Sequence, residues 1–270
     1  MARAQAPADT LRVLSDRVSD LDAEPIYGDL HGDVDPDLAH FIRTIGAITP
    51  PGTTAHCAAP VAAHEADEIL AASKLLQRLK RRCPPVAAGP LVRTDQYWVA
   101  TGRPAHLPPR EDTLDPRLFV DARASGAAIV STKPFELGLY TSTGVFGTFG
   151  MWWCYLQLNS ESSLFPRPWK IWALDASPQA NVLEIATAAQ WVELVWGNPL
   201  ESDGLLYPDW KAVAGRWDGI HMSAGAVAAT QGICFSANGR VVAPPYWDVE
   251  STLWLRWSFP TFERVDAGGA

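Results

Sequence analysis

Two carboxylates near the C-terminus, Asp248 and Glu250, stand two residues apart within residues 247–257, which we predict to be the last strong β-strand. Alternation along a strand places both on one face, whereas the opposite face is apolar apart from Ser251. Two like charges this close are unfavourable unless they face water or a ligand. Such a carboxylate can bind a ribose hydroxyl and stabilise an oxocarbenium-like transition state. The alternative is a solvent-exposed strand face.

A lone arginine, Arg93, lies in the segment 91–99, which we predict to be the first strand of the main domain. It shares a strand face with polar and apolar side chains, so that face is mixed rather than fully solvated. A guanidinium there can bind a pyrophosphate in the bidentate geometry that lysine cannot reproduce. The alternative is a salt bridge to Asp95 or to a neighbouring strand.

A pair of hydroxyl residues, Ser142–Thr143, ends the predicted strand 137–142, and an aromatic-rich turn or helix follows it. Small hydroxyls beside aromatic rings suit a flat aromatic ligand attached to a ribose, with Tyr140 or Trp152 stacking on the ligand. The alternative is a strand edge with its hydroxyls in water and the tryptophans in the core. A second pair, Ser131–Thr132, one predicted strand earlier, competes for the same role.

An arginine on an early strand, a serine–threonine pair on a second strand and a glutamate on a late strand resemble the Arg–Ser–Glu signature of the ADP-ribosyltransferase superfamily. The resemblance covers roughly residues 91–257. It implies that Arg93 binds the NAD phosphates and that Ser142, with Thr143, orients the nicotinamide ribose and the glutamate. It also implies that Glu250 binds the ribose 2′-hydroxyl.

The same resemblance implies that Tyr140 or Trp152 stacks on nicotinamide. Asp248 occupies the position where the family has Gln or Glu, so the type of side chain modified is left open. The expected activity is NAD-dependent ADP-ribosyl transfer or NAD glycohydrolysis, with NAD as substrate and no metal. The protein would then be a toxin or effector with an unknown acceptor and an inhibitory, antitoxin-like protein partner. Residues 207–220 and 247–248 also resemble an uncharacterised bacterial and phage-associated group.

The motif most easily mistaken for a site is residues 28–33, GDLHGD, which matches the opening G-D-x-H-G of metallophosphoesterases. That fold needs further ligands in motifs that the chain lacks, and two ligands cannot hold two metals. We therefore interpret residues 28–33 as a polar turn before a helix near 37–45.

The predicted fold class is α+β, with a mixed, mostly antiparallel β core, flanking helices and a helical N-terminal extension. We predict a helical N-terminal region over residues 1–88, with a regulatory or packing role, and the ADP-ribosyltransferase-like domain over 89–270. Within the first region, the apolar spacing predicts helices over 11–21 and 64–83, the second ending at Pro84–Pro85.

The composition of the chain disfavours some classes of binding partner and some compartments. Thirty acidic side chains against 22 basic ones give a net charge of −8, which disfavours broad binding to nucleic acid or to anionic membranes. The four scattered cysteines form no C-x-x-C pair and suit a reducing compartment. The N-terminus has no apolar signal core and no run is long enough to span a membrane. We therefore expect a cytoplasmic protein, with export by a specialised system left open.

The alternative from another functional class is a tryptophan-rich module that binds carbohydrate or protein. Of the 12 tryptophans, 11 follow residue 150. A row of exposed indoles would favour this alternative, because exposed rings stack on sugars or peptides. Indoles on the apolar face of each element would instead belong to the core.

Overall fold

The computed structural model describes residues 34–46, 76–101, 114–124, 126, 128–162, 164–232, 234–237 and 239–265. The helices are α1 (Pro36–Gly46), α2 (76–82), α3 (Pro84–Ala88), α4 (Met151–Leu158), α5 (Ala188–Gly197), α6 (Trp210–Ala214) and α7 (Ala224–Thr230). The strands are β1 (Gln96–Ala100), β2 (Leu139–Thr143), β3 (Lys170–Asp175), β4 (Val182–Ile185), β5 (Pro199–Ser202), β6 (Leu205–Pro208), β7 (Gly219–Met222), β8 (Phe235–Ala237), β9 (Arg240–Val242), β10 (Ser251–Trp254) and β11 (Thr261–Val265). Short 3₁₀ helices cover Pro116–Leu118 and Ala122–Ala124.

Two sheets organise these strands. The larger has the order β11-β3-β1-β2-β10-β7-β4, and the smaller has the order β5-β6-β9-β8. In the larger sheet β4 and β7 are parallel while the other pairs are antiparallel, and in the smaller sheet only β6 and β9 are parallel. The mixed, mostly antiparallel α+β fold expected from the sequence is therefore confirmed.

Local signals in the sequence set several helix ends. The Thr187 hydroxyl accepts a hydrogen bond from the Gln190 backbone N–H, and the Gln190 side chain accepts one from the Ala186 N–H, so these two residues cap the start of α5. Asp35 caps α1 in the same way, through the N–H groups of Asp37 and Leu38. Helix α2 ends before Cys83, as its following prolines predict, although a further short helix, α3, begins at Pro84.

Several predicted strands differ from the observed ones. The first begins at Gln96 rather than 91, because residues 93–94 form a turn in which the Arg93 carbonyl accepts a hydrogen bond from Ala176. The residues before the Ser131–Thr132 pair, 128–130, do not form the strand predicted there. Pro208 ends β6, and Asp209 caps α6.

The last strand is also shorter than the predicted 247–257, since β10 covers only Ser251–Trp254. Asp248 has a φ of 66°, which breaks the alternation of an extended chain at that residue. The backbone N–H groups of Trp247 and Asp248 donate to the Gln231 side chain instead of to a neighbouring strand.

The N-terminal helices share the main hydrophobic core. Phe41 of α1 and Leu79 of α2 are buried in one cluster with Trp191, Trp210 and strands of the larger sheet. The predicted helix 11–21, residues 64–75 of the second predicted helix and the motif 28–33 lie outside the described residues. In the part of the chain that is described, no helix is both long and apolar enough to cross a membrane.

Candidate active site

The register of the larger sheet brings polar side chains together on one face. Glu184 of β4 pairs with His221 of β7, His221 pairs with Thr252 of β10, and Thr252 pairs with Thr141 of β2. Paired residues project to the same side of a sheet, so these four side chains form a polar row across four strands. Glu250 precedes Thr252 by two residues and reaches the same row.

Glu250 is the centre of this row and is completely buried. Its carboxylate accepts hydrogen bonds from the Thr143 N–H at 3.1 and 3.3 Å and from the Thr143 hydroxyl at 2.9 Å. The Nε2 atom of His221 lies 3.2 Å from the same carboxylate. A buried charge is tolerated only where donors of this kind replace its water.

A directed chain of hydrogen bonds reaches Thr143 from deeper in the sheet. The Trp254 indole donates to the Thr141 hydroxyl at 2.8 Å, and that hydroxyl donates to the side-chain oxygen of Gln96 at 2.5 Å. The Gln96 amide donates to the Thr143 hydroxyl at 2.9 Å, which leaves the hydroxyl hydrogen free to point at Glu250. Every member is buried, so the chain fixes the orientation of Thr143 without help from solvent.

On its other side Glu250 is joined to a second carboxylate through His221. The Nδ1 atom of His221 lies 2.5 Å from Glu184, whose other oxygen accepts the Leu91 N–H at 3.0 Å. Burial lowers the pKa of His221, but hydrogen bonds and charges of Glu184 and Glu250 outweigh burial and raise that pKa to about 9. Burial opposes ionisation of Glu184, yet the hydrogen bond from His221 holds its pKa below the usual range.

The site is enclosed except at Glu184. The side chains of His221 and Glu250 are 0% exposed, whereas that of Glu184 is 35% exposed. The segment 83–91 lies beside it: a Cβ on Gly89 would approach Glu184 to 3.0 Å and His221 to 3.9 Å. Burial raises the pKa of the Cys83 thiol, and the charge of Glu250 contributes to that rise. Glu184 is therefore the member of the row that reaches solvent, and it lies beside the chain around Gly89.

One polar group in the row has no partner. The Thr252 hydroxyl, between His221 and Thr141, is buried and makes no hydrogen bond within the described residues. An unsatisfied buried hydroxyl is unfavourable by about 1–3 kcal/mol.

Of the two candidate hydroxyl pairs, Ser142–Thr143 lies at Glu250. The Ser142 hydroxyl, however, donates to the backbone carbonyl of Glu250 at 2.9 Å and accepts the Trp152 N–H, so Thr143 rather than Ser142 contacts the carboxylate. The Ser131–Thr132 pair instead uses its two carbonyl groups to accept the indole N–H groups of Trp210 and Trp247.

Arg93 lies outside the polar row, in the turn before β1. Because it lies in the turn before β1, its side chain does not share a strand face as predicted, and its guanidinium donates to the Ser177 carbonyl at 3.1 Å. Its positive charge contributes to the lowered pKa of Glu184. Arg93 therefore lies within electrostatic range of the accessible end of the site.

Asp248 does not form an acidic pair with Glu250 on an exposed strand face, as its spacing suggested. Its side chain is bound by Lys133 at 3.2 Å and by the Gln231 amide at 2.9 Å. Since Glu250 and Thr252 are both buried, the expectation of a solvent-exposed face is wrong as well. The positive φ of Asp248 explains the separation, because it turns this carboxylate away from the alternation that its neighbours follow.

The two predicted stacking residues lie away from the polar row. Tyr140 packs edge-on against Trp247 with ring centroids 5.7 Å apart, and it alternates with Thr141 and Thr143 along β2. Trp152 already stacks on Tyr155 at 5.2 Å with an interplanar angle of 12°. Both candidate rings therefore have protein partners in this structure.

Tryptophan burial bears on the binding-module alternative. All 12 indoles lie in the described residues and none is exposed; Trp191, Trp210, Trp247 and Trp254 are fully buried. The row of exposed rings that would favour a carbohydrate- or peptide-binding surface is not found among them.

Sequence reasoning missed His221, Glu184, Gln96 and Thr141. A histidine inside the apolar strand GIHM is the one available signal, because a buried imidazole requires a polar partner. Glu184 pairs with it across 37 residues, and no local pattern predicts that register. Among the described residues, no group of three or more His, Cys, Asp or Glu side chains could hold a metal ion.

In comparisons with known proteins, no family model, no curated protein and no solved structure matches the chain.

Proposed function

We propose that the chain cleaves the nicotinamide–ribose bond of NAD and transfers ADP-ribose to an acceptor, with Glu250 as the essential carboxylate. The observation that carries the proposal is the carboxylate of Glu250, buried and held by the N–H and hydroxyl of Thr143. Arg93 lies in the turn before β1, the serine–threonine pair ends β2 and Glu250 directly precedes β10, and these three strands are neighbours in the larger sheet. That order also supports the resemblance found in the sequence.

In this proposal the bond between ribose C1′ and the nicotinamide nitrogen breaks first. The electron pair leaves with nicotinamide, and the positive charge that develops on the ribose is stabilised by the negative charge of Glu250. The acceptor then forms a bond to C1′ and loses its proton to water or a nearby base. Arg93 would bind the pyrophosphate after exchanging its contact with the Ser177 carbonyl.

The test is nicotinamide release from NAD by the purified full chain, alone and with cell extract that supplies acceptors. Glu250→Gln is expected to abolish release, because the neutral amide cannot stabilise the developing cation. Glu193→Gln, which changes an exposed carboxylate on α5, is the matched control and should leave release unchanged. A folded parent protein that releases no nicotinamide under either condition would overturn the proposal.

The hydroxyl pair provides a second discriminating comparison. Thr143→Val removes the hydroxyl that contacts the Glu250 carboxylate, and we expect it to reduce release by about tenfold or more, as for the loss of one charge-assisted hydrogen bond. Ser131→Ala is the control from the competing pair. Equal loss in both variants would show that the effect is not specific to the carboxylate.

A further inference from the structure

The side chain of His221 is buried, but its two ring nitrogens contact carboxylates, and these contacts bear on its charge. Each ring nitrogen faces a carboxylate: Nδ1 faces Glu184 at 2.5 Å and Nε2 faces Glu250 at 3.2 Å. An ionised carboxylate can only accept a hydrogen bond, so two ionised carboxylates require both ring nitrogens to donate. A histidine that donates from both nitrogens is an imidazolium.

We propose that His221 is the positioning residue of this site: as a buried imidazolium it joins Glu250 to Glu184, so that two carboxylates and one cation act as a unit. The role of this unit in catalysis rests on the proposed NAD cleavage. The bridge itself is a property of the unliganded protein and can be measured without substrate.

The charged groups around the imidazole support this assignment. Glu184 approaches from β4 and Glu250 from the residue before β10, and the charge of Arg93 acts on Glu184. From the segment between α2 and α3, Cys83 contributes a thiol whose pKa is raised, so it stays neutral near pH 7. The imidazole therefore faces two carboxylates.

The consequence for the site is a fixed geometry. With the Thr143 donors on one side and the imidazolium on the other, the carboxylate of Glu250 is held in one orientation. Glu184, the member that reaches solvent, is in turn fixed by the Leu91 N–H. A change at the surface carboxylate is thus transmitted to the buried one through a single ring.

The experiment has two independent parts. In the first, NMR of the histidine ring nitrogens in the unliganded full chain reports the protonation of His221. We expect both nitrogens to carry protons at pH 7.5, and we expect Glu184→Gln to lower the titration midpoint by about one to three pH units, the effect of removing an opposite charge at this distance. Glu193→Gln should leave the midpoint in place. A neutral His221 at pH 7.5, or an unmoved midpoint in Glu184→Gln, would overturn the bridge.

In the second part, the pH profile of NAD cleavage is compared in the same variants. We expect the alkaline limb of kcat to move to lower pH in Glu184→Gln, with KM changing less than kcat, while Glu193→Gln retains the parent profile. An unmoved limb would refute the positioning role even if the NMR titration behaves as expected. If the parent releases no nicotinamide, the proposed function and the role in cleavage fail together, and the NMR result alone decides whether the bridge exists.

Discussion

Because the pKa of His221 is raised in the folded state, the free energy of unfolding should decrease as pH rises from 6.5 to 9. The imidazole is 0% exposed and lies between two carboxylates, and its pKa is raised from 6.5 to about 9. Above pH 6.5 the unfolded chain has released this proton while the folded chain still holds it. The folded state then binds more protons, so the free energy of unfolding must decrease as pH rises.

The size of the effect follows from the shift. A difference of one bound proton changes the free energy of unfolding by about 1.4 kcal/mol per pH unit, and the window between the two pKa values makes the total about 3 kcal/mol. This stabilisation is fully present below pH 6.5 and is lost as pH rises through 9. Glu184, with a lowered pKa, has the opposite sign: its contribution is present above its usual value of 4.5 and is lost as pH falls through its folded pKa.

The assay is urea denaturation from pH 6 to 9.5 at constant ionic strength, followed by tryptophan fluorescence, in the parent and in His221→Gln. The variant should show a flatter pH dependence, and the difference between the two curves isolates this group from other titrating side chains. If His221→Gln does not fold, Glu184→Gln replaces it and should reduce the slope. Parallel curves for parent and variant would refute the argument that a buried imidazolium bridges the carboxylates.

Three further sets of substitutions test the fold, all by the free energy of unfolding in urea. Gly147→Ala and Gly150→Ala both place a side chain at a positive φ, 77° and 90°, but only the second also creates a contact of 2.6 Å. We expect about 1 kcal/mol of destabilisation for Gly147→Ala and about 2–5 kcal/mol for Gly150→Ala, and equal losses would contradict the clash. We expect Thr187→Ala to lower the free energy of unfolding by about 1 kcal/mol and Thr187→Ser to leave it unchanged, because serine keeps the capping hydroxyl. An unchanged value for Thr187→Ala would contradict the cap. Trp254→Phe removes the donor to Thr141 and should destabilise by about 2 kcal/mol, whereas an unchanged value would argue against the directed chain.

Much of the fold was predictable because its signals are local. The cap at Thr187 and the prolines at 84–85 mark helix ends through contacts within a few residues. The α+β class follows from strand and turn patterns without regular alternation of strands and helices. The order of the strands depends on pairings between distant segments, such as β10 with β2 and β7, and composition does not encode those pairings.

The residues of the candidate site also fall into those that local patterns predict and those that they do not. Alternation correctly puts Glu250 and Thr252 on one face, and the adjacency of Ser142–Thr143 to Glu250 agrees with their predicted association. Asp248 was misplaced, because a single residue with positive φ reverses the direction in which a side chain points and no sequence pattern here predicts it. His221 was missed since its contacts depend entirely on two partners from distant segments.

The helices before residue 89 bear on how the site can be controlled. Phe41 and Leu79 belong to the core beneath the sheet, so removing the described helices α1 and α2 would expose that core. Among the described residues, packing is thus an observed role of this region, and the segment that follows these helices contacts the site. That segment ends at Leu91, whose N–H holds Glu184, the accessible end of the carboxylate–imidazole bridge. Under the proposed function, loss of this one contact would free the carboxylate that orients His221 and so change the geometry of Glu250.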